Sequence, residues 1–483
     1  MTLFFAAVAV YVVTVCAIGL SQYRKTRDEA GFFVAGRSLG PIVGGATLMA
    51  NQVSAGTTIG IVGFHYFSGI SYAWTWPLVW IGWLVAAIFV APKMRDLAGV
   101  TLPDYFAARF GSVAGRLVAA ICILIVYTVL LTAQFQAGGI LFGLAGGMRE
   151  AWAVALVAGI TAAYTVLGGM YGNAYVGVLK AVLLLGCYVL AVPFLLRHVG
   201  GIHEIGVALH AIDPRLTAQW FSWRELIVIS LAIGLGLAAA PYEISAIYAM
   251  QSRRAARLAI GWSFLFQGVI GVGVLLFGLS MRVAVPYLPE PDLATPMLGM
   301  NVLPPALGIL VLLAAVVTFT RTGGAILLTV ASAVSHDIYA EFLRPGASER
   351  AKVLAGRLAV IAFSAIPVVL ALQRFDLVNF IVIYAAKLMV SFFFVPVVIG
   401  LHWKRATGAG ALASMLGGAG ACIGWSLLGR PAPLGLDPAE VGVGMSLALF
   451  VVVSLVTVPV TAERLGQFFT TTPRPNSSEP ARQ

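Results

Sequence analysis

Residues 318 to 339 read TFTRTGGAILLTVASAVSHDIY and place Arg321 deep inside a long apolar segment. The segment runs from Pro304 to Asp337, and as a helix rising about 1.5 Å per residue it is long enough to cross a bilayer. Arg321 then lies about 24 Å from Asp337, near the middle of the membrane. An arginine at that depth costs a few kcal/mol, so we expect its side chain to face protein or water and not lipid.

The composition is that of a polytopic membrane protein. Of the 483 residues, 60% are hydrophobic and only 10% are charged, whereas soluble domains have about 25% charged residues. The four cysteines are scattered singly without metal or redox spacing, so we expect no metal site and no cofactor. The net charge of +11 comes from basic residues in short loops, which indicates membrane topology and not nucleic-acid binding.

Apolar stretches predict an all-α protein with about thirteen transmembrane helices. Most of the 30 Lys and Arg residues fall in every second loop, which predicts the amino terminus outside and the carboxyl terminus inside. We expect an integral protein of a bacterial cytoplasmic (inner) membrane, in contact with lipid and of undefined oligomeric state. The predicted spans are approximately 3 to 21, 41 to 66, 72 to 92, 117 to 144, 151 to 167, 175 to 196, 225 to 250, 258 to 285, 305 to 335, 353 to 373, 376 to 401, 408 to 429 and 441 to 461.

The second span is interrupted by small and polar residues. Residues 44 to 69 read GGATLMANQVSAGTTIGIVGFHYFSG, and irregular backbone at that depth is tolerated only where it lines a cavity. The pattern favours a discontinuous helix whose freed carbonyls bind an ion or solute; the alternative is glycine-rich helix packing. No Walker lysine motif, HExxH or nucleophile elbow is found in the sequence, so we expect neither an ATP-driven pump nor an enzyme.

Five motifs in order resemble the sodium/solute symporter family, which includes sodium/proline and sodium/sugar symporters. They are FFVAGRSLG at 32 to 40, ANQVSAGTTIGIVGFHYFSGIS at 50 to 71, AYTVLGGMYG at 163 to 172, QSRRAAR at 251 to 257 and AVSHDIYAEF at 333 to 342. The span count is similar to that of the proline branch. The resemblance covers roughly residues 5 to 460 and implies a LeuT-like inverted repeat of five plus five helices, with broken core helices and with solute and ion sites at the midplane.

The resemblance also divides the chain. It implies an extra amino-terminal helix at 1–22, a first repeat at 38–200, an extracellular loop at 201–223, a second repeat at 224–402 and two carboxyl-terminal helices at 403–462. The polar end of the chain, 463–483, predicts a disordered cytoplasmic tail.

The family's sodium site, carried over by position, is altered in this chain. The resemblance implies that carbonyl ligands come from Ala50, Val53 and Thr318. Of two adjacent hydroxyl residues in the family, Thr322 is kept, and Arg321 replaces the other. The family's Trp-Thr-Asp followed by Gln three residues later is here Tyr175, Val176, Gly177 and Lys180, so an acidic residue is lost and a lysine gained.

Both changes add positive charge beside the expected ion. Two like charges a few ångström apart at low dielectric repel by several kcal/mol. Our hypothesis is that Arg321 stands in for sodium, so that transport is sodium-independent or proton-coupled. Arginine cannot release its proton, whereas Lys180 could carry one; alternatively Lys180 extends to the cytoplasmic interface.

Further polar groups within the spans are candidates for coupling and for solute binding. Glu243 follows Pro241, where the seventh span is expected to kink, and it either pairs with Arg321 or Lys387, takes up a proton, or is a structural ion-pair partner. Three intramembrane cations against one anion favour an anionic solute such as a carboxylate, then a zwitterion. The candidates for binding it are Gln52, Ser54, Thr57, Gln134, Tyr242, Tyr384 and Lys387, with Tyr127, Thr132 and Gln136 nearby on the fourth span.

The sequence therefore predicts a secondary active transporter of symporter type, working by alternating access on a small organic solute. A conventional sodium-coupled symporter, in which Arg321 turns away from the ion, is the first alternative. A transporter-like membrane sensor or receptor is the second.

Overall fold

A computed structural model describes residues 2 to 97, 99 to 429 and 433 to 469. Within these ranges the ordered elements are helices, labelled α1 to α20, joined by short 3₁₀ or π segments. They are α1 Thr2–Gln22, α2 Glu29–Val34, α3 Pro41–Gln52, α4 Val62–Ser68, α5 Thr75–Val85, α6 Ala91–Leu97, α7 Leu102–Phe110, α8 Val113–Gly146, α9 Glu150–His198, α10 Ile202–Ile212, α11 Trp223–Ala238, α12 Pro241–Tyr248, α13 Arg253–Ala284, α14 Ala294–Met297, α15 Pro305–Ser332, α16 Glu349–Ala371, α17 Val378–Met389, α18 Gly408–Leu427, α19 Pro438–Val456 and α20 Ala462–Phe469.

The all-α membrane architecture predicted from the sequence is confirmed. The described residues contain 11 helical stretches long and apolar enough to cross a membrane. Two of these stretches, Gly56–Leu97 and Glu150–His198, are 42 and 49 residues long and each extends over two of the predicted spans. Helices therefore lie at every predicted span, and the count of thirteen crossings stays a prediction.

Helix α9 is divided at Gly169. At 49 residues an unbroken helix would be about 74 Å long, more than twice the thickness of the hydrocarbon core. Gly169 has φ +50° and ψ −146°, a backbone conformation open mainly to glycine. A Cβ there would lie 2.7 Å from the carbonyl oxygen of Phe32, so only glycine fits this break, which lies in the Gly-Gly turn predicted from the sequence.

Two helices are interrupted halfway through the bundle. Helix α3 ends at Gln52, Val53 is extended with φ −69° and ψ 98°, and helical structure resumes at Gly56. In the second repeat α11 ends at Ala238 and α12 begins at Pro241. The first position of a helix suits proline, because a backbone N–H there would have no partner within the helix. The first interruption was predicted, whereas at Pro241 a kink was expected and the structure has a break. Both leave backbone groups outside the helical hydrogen bonding.

Helix α15 occupies the centre of the molecule. It packs against α9, α8, α16, α1 and α3, and every residue from Ala314 to Ser332 is buried. Its polar groups, including Arg321, therefore face protein and not lipid, as expected for a charge at that depth.

Two predicted non-membrane segments, the extracellular loop and the carboxyl-terminal tail, contain ordered helices. The predicted extracellular loop includes α10 and the turn Pro214–Thr217. The predicted disordered tail starts at residue 463, but α20 continues to Phe469, and residues 470 to 483 lie outside the described part. Helix α20 packs against α7, which explains why these residues are helical although the local sequence is polar. The remaining domain boundaries stay predictions.

Candidate functional site: a buried lysine between two broken helices

The side chain of Lys180 lies at the interruption of the first broken helix. It comes from the second half of α9 and is 0% exposed. Its ammonium donates to the carbonyl oxygens of Ala50 at 2.8 Å and Thr318 at 3.2 Å, to that of Val53, and to the Thr322 hydroxyl at 3.0 Å. The alternative in which Lys180 extends to the cytoplasmic interface is therefore wrong.

The break in α3 explains why these oxygens are available. Carbonyls in the last turn of a helix lack an intrahelical partner and carry the negative end of the helix dipole. Ala50 is in that turn and Val53 directly follows it. The Thr322 hydroxyl is 3.0 Å from the Ala50 oxygen. Thr318 and Thr322 are four residues apart on α15 and so share one face. The four oxygens assigned to the ion through the family resemblance thus surround an ammonium group.

Arg321 takes a different place from the one we predicted. The guanidinium donates to the carbonyl of Asn173 at 3.2 Å, the carbonyl of Thr47 at 3.4 Å and the side-chain oxygen of Asn51. It lies against Gly177, where an added Cβ would be 3.3 Å from its nitrogens. One residue along a helix turns the side chain by about 100°, which directs Arg321 away from the Thr322 face. The hypothesis that Arg321 itself replaces the ion is therefore wrong.

Glu243 is buried beside the same interruption. It is 2% exposed, lies close to the side-chain amides of Asn51 and Gln52, and makes no ion pair with Arg321 or Lys387 among the described contacts. In the described chain neither carboxyl oxygen of Glu243 nor either polar atom of the Gln52 amide has a hydrogen bond of ordinary geometry. The Glu243 carboxyl and the Gln52 amide therefore lie close together at the break without well-aligned hydrogen bonds.

Most of the other candidates for solute binding are already bonded to protein. The Gln134 side-chain oxygen accepts from the backbone N–H of Ala55 at 2.9 Å, and the hydroxyls of Ser54 and Thr57 accept from backbone N–H groups of the break. The Tyr242 ring stacks on that of Tyr127 with centroids 5.5 Å apart. These side chains hold the broken backbone in place.

Tyr384 and Lys387 face a second cavity, and their part in solute binding stays a prediction. They line a cavity of about 810 Å³ with α11 and the α18–α19 region. The Lys387 ammonium is 2.5 Å from the Asp437 carboxylate. The sequence analysis missed this pairing because the two residues are 50 positions apart in the chain.

A charged network, which the sequence analysis missed, joins the other end of the helices. Asp337 accepts from Arg116 at 2.8 Å and from the Thr101 hydroxyl at 3.0 Å, and Arg116 also bonds Asp104 at 2.7 Å. The two ring nitrogens of His336 face carboxylates of Asp104 and Glu29. Although burial acts to raise it, the hydrogen bond from His336 and the charge of Arg116 hold the pKa of Asp104 at about 2. Asp337 of the DIY motif was the one residue in the sequence analysis that could have pointed to this charged network.

The fold and this site are those of a secondary transporter with two broken core helices. The chain aligns with a solved structure described as the substrate-bound outward-open state of a Na⁺-coupled sialic acid symporter, with a TM-score of 0.83 and 18% identity over 95% of this chain and 98% of that one. The Bacillus subtilis high-affinity proline transporter PutP is 29% identical over 85% of this chain and 90% of its own length. A monocarboxylic acid transporter of Corynebacterium glutamicum is 27% identical over 85% of this chain and 80% of its own.

The model of the Sodium:solute symporter family matches residues 32–418. The chain belongs to this family, as the five motifs predicted, and it is a transporter and not an enzyme.

Proposed function

We propose that this protein is a secondary transporter that moves a small carboxylate-bearing solute by alternating access. The observation that carries the proposal is the pair of interruptions in α3 and α11–α12. The Asn51 side-chain amide donates to the Tyr242 carbonyl at 3.3 Å, so the two breaks adjoin. The Gln52 amide and the buried Glu243 carboxyl lie there, close to one another, and broken-helix transporters bind solutes at such interruptions.

The charges near the breaks support a solute that carries a negative group. Because Lys387 pairs with Asp437, the buried charges left near the breaks are Lys180 and Arg321 against Glu243, a surplus of one cation. A carboxylate compensates it, and a zwitterion adds an ammonium for Glu243 to bind. The similar proteins are named for proline, monocarboxylic acids and sialic acid, all of which bear a carboxylate.

Two modes of coupling follow from different observations. The family description and the sialic acid symporter favour sodium as the coupling ion. The four oxygens around the Lys180 ammonium favour transport that is sodium-independent or coupled to protons. The second mode keeps the sodium-independent part of our hypothesis, but Lys180 and not Arg321 takes the place of the ion.

Uptake into liposomes that contain only this protein tests the proposal. Labelled L-proline, pyruvate and acetate are offered with glucose as an uncharged comparison, in sodium and in choline salts, against protein-free liposomes. We expect saturable uptake of at least one carboxylate and none of glucose. Solute binding without flux would instead identify a sensor, and uptake of glucose alone would contradict the carboxylate assignment.

A further inference from the structure

The oxygens at the end of α3 surround a cation that is a side chain of the protein itself, the Lys180 ammonium. We propose that the Lys180 ammonium is the resident cation of this transporter and that no sodium ion binds between α3 and α15 in the wild type. The inference rests on the proposed transport function and concerns only what couples it. In broken-helix transporters unwound carbonyls at such positions coordinate the coupling ion.

The geometry leaves no separate place for an ion among these oxygens. The three carbonyls and one hydroxyl all lie within 3.2 Å of the Lys180 nitrogen. A sodium ion bound to the same oxygens would lie a few ångström from a permanent positive charge in a medium of low dielectric, where like charges repel strongly. The ammonium and the ion are therefore mutually exclusive.

Arg321 strengthens the exclusion. Its guanidinium acts on Lys180 as a second positive charge, and its hydrogen bonds go to the side-chain oxygen of Asn51 and to the carbonyls of Asn173 and Thr47. Among the described residues no carboxylate forms a salt bridge with either cation. A third positive charge at this point would be uncompensated.

Thermal stability of the purified protein tests the site directly. The wild type, Lys180→Ala and Lys387→Ala are compared in sodium, potassium and choline chloride at equal ionic strength. We expect Tm of the wild type and of Lys387→Ala to be the same in all three salts. Lys180→Ala vacates the oxygens, so its Tm should rise with sodium concentration and not with choline. Stabilisation of the wild type by sodium, or a folded Lys180→Ala without a sodium response, would overturn the proposal.

Flux through the wild type decides the point if Lys180→Ala does not fold. Liposomes with an inward proton gradient, an inward sodium gradient or neither are compared for uptake of the carboxylate identified above. We expect initial uptake under the sodium gradient to equal uptake without any gradient. Uptake that the sodium gradient raises several-fold overturns the tethered cation but leaves the transport function intact. No uptake of any carboxylate under any gradient means that the proposed function itself has failed.

Discussion

Thr322 shows how one hydroxyl orients the buried lysine. It accepts from the Lys180 ammonium at 3.0 Å, and its own hydrogen is directed at Ala50, 3.0 Å away, or at Val53, 3.2 Å away. A hydroxyl has one donor and two acceptor positions, so it can satisfy the lysine and a freed carbonyl together. Thr322 therefore connects α15, α9 and the end of α3 through a single side chain.

Thr322→Val keeps the shape of the side chain and removes both hydrogen bonds. Because hydrogen bonds to a charged group are worth about 1.5–3 kcal/mol, we expect a loss of stability of about that size, measured by thermal or denaturant unfolding in detergent. Thr329→Val is the matched control, since its hydroxyl bonds only the Ala325 carbonyl of its own helix, at 2.9 Å. An equal effect of the two substitutions would contradict a special role for Thr322.

The sequence predicted the oxygens of this site but not the group that they bind. The motif positions identified Ala50, Val53, Thr318 and Thr322, because backbone carbonyls at a break do not depend on side-chain identity. Whether Arg321 or Lys180 reaches them depends on helix rotation and side-chain length, which one sequence does not fix. Asn51, which binds Arg321, was missed beside the candidate Gln52.

At the scale of the elements, the turn Pro291–Leu293 of the second repeat packs against helices of the first repeat at one end of the bundle. It packs on α4 and on the segment Gly56–Ile61. Asp292 in this turn is 1% exposed and accepts from the backbone N–H of Val378, at the start of α17, at 2.9 Å. Its other carboxyl oxygen is buried without a partner in the described chain, and burial raises the pKa of Asp292 to about 6.

Asp292→Asn keeps an acceptor for Val378 and removes the buried charge. A carboxyl whose pKa is raised on folding makes the folded state less stable as pH rises from its unfolded value to its folded value. We therefore expect the wild type to lose up to about 3 kcal/mol between about pH 4 and 6, and the variant to show a flatter profile and to be more stable at pH 7. Thermal unfolding from pH 4 to 7.5 measures this. The control Glu204→Gln removes an exposed charge that does not act on Asp292 and should keep the wild-type slope. An unchanged slope in Asp292→Asn would refute the argument.

The sequence predicted the helices, their interruptions and their turns better than it predicted the side-chain contacts. Apolar length predicted the spans. Clusters of glycine and small polar residues predicted the break in α3 and the turn at Gly169, and Pro241 predicted a kink where the chain is broken. Helix α20 was missed because its order depends on contacts with α7, which its local composition does not reveal.

The whole molecule is joined at one end by ion pairs between distant segments. Arg116 at the start of α8 bonds Asp104 and Asp337, and Lys352 at the start of α16 bonds Glu29 at 3.1 Å. Several of these groups are buried, and breaking a buried pair costs about 3–5 kcal/mol. These pairs therefore stabilise the packing of the segments that carry them at this end of the bundle.

The predicted orientation places this network inside the cell. In a variant whose native cysteines are replaced by serine, we expect Ala218→Cys to react with a membrane-impermeant maleimide on intact cells. Ser348→Cys should react only after permeabilisation. The opposite pattern would invert the topology, and labelling of both sites on intact cells would exclude an odd number of crossings between them.

The covalent attachment of Lys180 gives its cation an effective concentration. A dissolved ion occupies a site according to its abundance in the medium, whereas a group on a short tether is present locally at millimolar levels or above whatever the medium contains. Occupancy is then one per molecule by construction, and it does not vary with the salinity of the surroundings.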